Sequence, residues 1–171
     1  KMKGVFIMSK NNKTLTAMIE YSKGDIHDIT HLLKVYTYAR LIGEEEGLSA
    51  NEQEILNVSA IVHDISCPTC RIKYGNTTGN YQERESRELV VPFLQKLCYS
   101  NEIIERVTYV VENHHTYSIE NDLVHRILLE ADFIVNAEES GLDKASIEAG
   151  MRNIFKTKTG KQLIENIYLN D

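Results

Sequence analysis

The chain has 171 residues, of which 42% are hydrophobic and 26% charged, with 9 glycines, 2 prolines, no tryptophan and a formal net charge of −6. This is the size and make-up of one domain with a buried core. It excludes a disordered or collagen-like chain and fits poorly with a turn-rich all-β sandwich. The acidic balance argues against a protein that coats a nucleic-acid polymer.

The apolar spacing predicts an all-α chain almost throughout. The apolar patch Val5 to Met8 is shorter than a secretory signal needs, and no segment reaches the roughly 18–20 apolar residues of a membrane helix. Leu15, Met18 and Ile19 share a face between Thr14 and Tyr21. From about Asp28 to Glu46, Leu32, Val35, Ala39 and Ile42 recur at three- and four-residue spacing, and Gly47 is the predicted stop. Ser49-Ala50-Asn51-Glu52 has the capping-box pattern, opening a helix that should end near His63-Asp64 because Pro68 follows. Ser66 to Tyr81 reads as one long irregular loop, a feature often functional in compact domains. Helical spacing resumes from Gln82 to Tyr99, where Pro92 is expected to kink or break it. Ser100 caps a helix carrying Ile103, Val107 and Val110. A strongly apolar helix follows from Leu123 to Ala137, then a weaker one from Lys144 to Phe155 and an amphipathic tail from Lys161 to Leu169.

Three positions stand out chemically: His31, the doublet His63-Asp64, and Asp132. Asp132 lies in Ile127-Leu128-Leu129-Glu130-Ala131-Asp132-Phe133-Ile134-Val135. A bare carboxylate buried there would cost several kcal/mol, so it should be paired, protonated or bound to a cation. A helical bundle can aim side chains from different helices at one internal point. Imidazoles together with carboxylates suit a divalent manganese, iron, cobalt, nickel or zinc ion.

In these residues and their order the chain resembles the HD superfamily of metal-dependent phosphohydrolases. Its pattern is a histidine on an early helix, a His-Asp doublet ending a later one, and a distant aspartate. The resemblance spans about residues 24 to 140, so that 1–171 reads as a single HD-type helical bundle with flanking helices. It implies one metal ion held by His31, His63, Asp64 and Asp132, with a second ion left open. Histidines at the position of His114 and His115 bind a second metal or the substrate phosphate in relatives, so both are candidate substrate contacts, His114 also a catalytic one. Dinuclear relatives carry a further histidine after the doublet. Here that stretch is Gln82-Glu83-Arg84-Glu85-Ser86-Arg87, where Glu83 or Glu85 could replace it or assist a metal-activated water. The glutamate that some nucleotidase relatives place three residues after the doublet is Cys67 in this chain.

Lys34, Arg71, Lys73, Arg84 and Arg87 are candidate phosphate contacts around the expected metal. His27 could support His31 or merely belong to the opening turn, and His125 reads as a surface residue. Cys67-Pro68-Thr69-Cys70 lacks the βαβ setting of a redox motif, and a zinc knuckle would need two more ligands. With Cys98 the thiols number three, too few for a disulfide framework, so the chain is expected to be cytoplasmic. The expected activity is hydrolysis of a phosphate ester in a small nucleotide or related metabolite. The alternative is a non-catalytic metal-containing HD module that senses a nucleotide. No membrane or nucleic-acid partner is expected, and a homodimer is left open.

Overall fold

The computed structural model describes residues 9–119 and 122–170, so the Val5–Met8 patch lies outside the described residues. The elements are α1 (Lys10–Tyr21), α2 (Ile26–Glu45), α3 (Ala50–Val62), α4 (Cys67–Tyr74), α5 (Gly79–Lys96), α6 (Asn101–Val111), α7 (Leu123–Glu139), α8 (Lys144–Ile154) and α9 (Lys158–Ile164). A short π-helix at Glu165–Leu169 follows α9, and no strand occurs among the described residues.

Side-chain oxygens fix where most of these helices begin. Ser9, Asp25, Ser100, Asp122, Asp143 and Thr157 each accept a bond from a first-turn backbone N–H, and Ser49 with Glu52 completes the expected capping box. The apolar faces then drive packing. Val35, Ala39 and Ile42 of α2, Leu56, Val58 and Ile61 of α3, and Ile127, Leu128 and Ile134 of α7 are fully buried in one core. Helices α2, α3 and α7 pack against one another, while α6 packs on α3 and α5 on α6. The ends of α2, α3 and α7 therefore come together at one side of the bundle.

Two sequence expectations change. The segment after the doublet is not a long loop: its first half is α4. Pro68 sits in the first turn of that helix, where its missing N–H costs nothing, and Gly75 ends it with a φ of 70°. Pro92 neither breaks nor ends α5, because Val90 and Leu94 on either side of it are fully buried and hold the helix in place. The tail docks through acceptors at both its ends. Glu130 of α7 accepts the Lys156 N–H at 2.6 Å, the Thr157 N–H at 3.0 Å and the Thr157 hydroxyl, while the Tyr168 hydroxyl donates to the Ile134 carbonyl at 2.6 Å.

Asp122 both caps α7, accepting from His125 N at 3.0 Å, and holds Arg106 by both oxygens at 2.7 and 2.8 Å. Partial burial would raise its pKa, but Arg106 and the His125 N–H outweigh that and hold it below the usual carboxylate range. The stability it adds is thus complete above the unfolded value of about 4 and is lost as pH falls through the depressed folded value. Asp122→Ala is expected to cost about 1–2 kcal/mol at neutral pH, with the gap to wild type narrowing under acid in urea unfolding.

Candidate metal centre

His31 lies on the buried face of α2, His63 closes α3, Asp64 follows in the turn, and Asp132 projects from α7. Their donor atoms converge. His31 Nε2 is 3.2 Å from His63 Nε2, 3.2 Å from Asp132 Oδ1 and 3.5 Å from Asp64 Oδ2. His63 Nε2 is 3.5 Å from Asp64 Oδ2 and 3.7 Å from Asp132 Oδ1. His31, His63 and Asp132 are buried, whereas the Asp64 side chain is 24% exposed.

The other ring nitrogens explain why the Nε2 atoms point inward. His63 Nδ1 donates to the Ala60 carbonyl at 2.9 Å, and His31 Nδ1 to Glu139 Oε2 at 2.8 Å. His114 repeats the arrangement: Nδ1 donates to the Val111 carbonyl at 2.6 Å, leaving Nε2 3.7 Å from Asp64 Oδ1 and without a hydrogen-bond partner. Anchoring Nδ1 fixes each ring's orientation, so each Nε2 is aimed into the same space and is the nitrogen that a metal ion would displace a proton from or bind.

The cluster's electrostatics fit a cation. Burial would lower the His31 pKa, but its bond to Asp132 and the charges of Asp64 and Asp132 drive it up to about 10. The same carboxylates raise His63 against an opposing burial effect. Burial acts to raise Asp64 and Asp132, yet the surrounding histidines hold both well below the usual carboxylate range. Two ionised carboxylates beside two inward imidazoles draw positive charge to this space, and a divalent transition ion in place of the imidazole protons suits such a donor set. His31, His63, Asp64 and Asp132 are the residues that could hold it.

Other candidate residues take varied places. The His115 ring packs on His114 with centroids 4.0 Å apart, and burial, then the His114 charge, lowers its pKa to about 4. Gly79 makes room for that ring, since a Cβ there would meet His115 Cγ at 2.6 Å. Glu83 accepts from His115 N at 2.9 Å and from the Thr116 hydroxyl at 3.1 Å, pinning the turn that carries His114. Glu85 instead accepts from the Tyr74 hydroxyl at 2.6 Å and from Lys73.

The five basic candidates are all engaged within the protein. Arg71 pairs with Asp25 and Asp28, Arg87 with Glu112 and Glu105, and Lys34 with Glu138 and Glu139. Arg84 lies over the stacked rings of Tyr74 and Tyr81. Cys67 and Cys70 are free and buried, and burial pushes both thiols up, away from reactive thiolates.

Two residues escaped the sequence reading. His125 is fully buried rather than on the surface, because its ring reaches back to bond the Asn113 carbonyl at 2.7 Å. Glu139 lies beyond the predicted end of α7 at Ala137, yet sits two turns past Asp132 on the same face. Counting that seven-residue interval from Asp132 would have found it.

A helical bundle that gathers two imidazoles and two carboxylates from separate elements defines a metal-binding helical domain. The model of the HD domain family matches residues 28–137, and the chain belongs to that family. The fold is similar to that of a predicted HD superfamily hydrolase from an uncultured Thermotogales bacterium. That crystal structure aligns with a TM-score of 0.66 at 21% identity, covering 91% of this chain and 83% of the other. At that identity the likeness is one of fold. No curated protein matches the sequence.

Proposed function

We propose that this chain is a cytoplasmic metal-dependent phosphohydrolase that cleaves a phosphate ester of a small nucleotide or related phosphorylated metabolite. The observation that carries this reading is the shared orientation of three histidines. His31, His63 and His114 each tie Nδ1 to an oxygen and turn Nε2 towards the Asp64–Asp132 space. A bound divalent ion supplies Lewis-acid activation of water and of a phosphoryl oxygen.

The chain's own residues do the rest. His31, His63, Asp64 and Asp132 hold the ion. His114, anchored by Val111, turns Nε2 to the space beside Asp64, where an Nε2–H would donate to a phosphoryl oxygen and stabilise the charge that develops there. Burial of three of the four donors leaves Asp64 as the approach and favours a small phosphorylated group over a polymer. The unpaired cysteines fit a reducing compartment, and no helix among the described residues is long and apolar enough to cross a membrane. The engagement of Glu83 by His115 N and Thr116, and of Glu85 by Lys73 and Tyr74, favours as a second reading a module that binds its ligand without turnover, since neither carboxylate is left to assist an attacking water.

The test is phosphate release from a nucleotide and sugar-phosphate panel with added manganese, cobalt or nickel. Turnover by wild type, lost in Asp64→Ala with the helical circular dichroism retained, is expected. Ligand binding without release would favour the sensing module, and neither binding nor release would contradict both readings.

A further inference from the structure

We propose that Glu139 is a positioning residue of the metal centre, setting the orientation of His31. The inference rests on the reading of the cluster as a metal site. Among the described residues Glu139 is the one partner of the outward nitrogen of His31, through the 2.8 Å bond from Nδ1 to Oε2, and its side chain is only 14% exposed. His63 and His114 anchor Nδ1 on carbonyls of their own chain turns, three residues back. His31 sits in the second turn of α2, and its Nδ1 takes its anchor from another element instead. α7 supplies it from the same face that presents Asp132.

The carboxylate is itself held from two further positions of α2. Lys34 Nζ lies 3.4 Å from Glu139 Oε1, and His27 Nε2 lies 3.5 Å from Oε2. His27, His31 and Lys34 are spaced four and three residues apart, one stripe of α2 closing on the last turn of α7. Lys34 is thereby assigned to Glu139 rather than to a substrate phosphate. A carboxylate on the far nitrogen of a metal-binding imidazole fixes the tautomer and ring orientation, and its loss lowers metal affinity by about 10–100-fold.

The experiment is competitive chelator titration with zinc on the full chain, with the Nδ1–H of His31 followed in the zinc-loaded protein by nitrogen-15 NMR. Glu139→Ala is expected to weaken zinc binding by about 10–100-fold and to lose the fixed Nδ1–H form. Glu139→Gln keeps an acceptor without the charge and should fall between the two, a graded order that a purely structural role would not give. It also serves if the alanine variant unfolds. Zinc affinity unchanged in both variants, with wild type binding normally, would overturn the role of Glu139 alone. Absence of zinc binding by wild type would overturn the site reading together with it.

Discussion

Asp132→Ala should leave the bundle folded and the chain unable to retain a stoichiometric divalent ion. Affinity is expected to fall by more than about 100-fold, beyond the cost of losing a partner outside the coordination sphere. Asp132 Oδ1 approaches His31 Nε2 at 3.2 Å and His63 Nε2 at 3.7 Å, so it is the contact that α7 makes with both imidazoles. Without it, His31 keeps Asp64 and Glu139, and the fold loses little. Asp132→Asn should be almost as poor, because the charge that balances the ion is gone while the shape remains. Elemental analysis after gel filtration, with circular dichroism as the control for folding, reads both.

Glu130→Ala should do the opposite: unfold the chain readily while sparing the metal donors. Glu130 is fully buried, and burial raises its pKa against the bonds from Thr157 and Lys156 that lower it. Its loss strands the Lys156 and Thr157 N–H groups and the Thr157 hydroxyl, and is expected to cost roughly 3–4 kcal/mol in urea unfolding. Gly160→Ala should destabilise for the same reason, since its Cβ would collide with the Glu130 carboxylate, which those bonds prevent from moving. Residual folded Glu130→Ala protein should bind zinc as wild type does.

These two acids show what the sequence could and could not say. Burial of a carboxylate in an apolar helix demands compensation, and that reasoning picked out Asp132. It applies equally to Glu130, two residues earlier, whose compensation is the backbone at the start of α9 rather than a cation. Hydrophobic spacing alone cannot tell these answers apart; the order of histidines and the doublet along the chain did so for Asp132. The helical class and the capping residues Ser49 and Ser100 were legible because they depend on neighbours within a turn or two. Pro68 was misread because proline marks a helix start as readily as an end, and the decision came from the packing of Cys67 and Cys70. The basic residues looked available for phosphate because their carboxylate partners, such as Asp28 for Arg71 and Glu112 for Arg87, lie on other helices. Glu139 was hidden for the same reason: its meaning lies in a contact 108 residues away in sequence.

The most direct measurement is X-ray absorption at the zinc edge of the loaded wild-type chain. A first shell of nitrogen and oxygen at about 2.0–2.2 Å, with outer scattering from two imidazoles, is the predicted result. Sulfur scattering at about 2.3 Å would place the ion on Cys67 or Cys70, and no imidazole scattering would remove it from His31 and His63; either result would contradict the account.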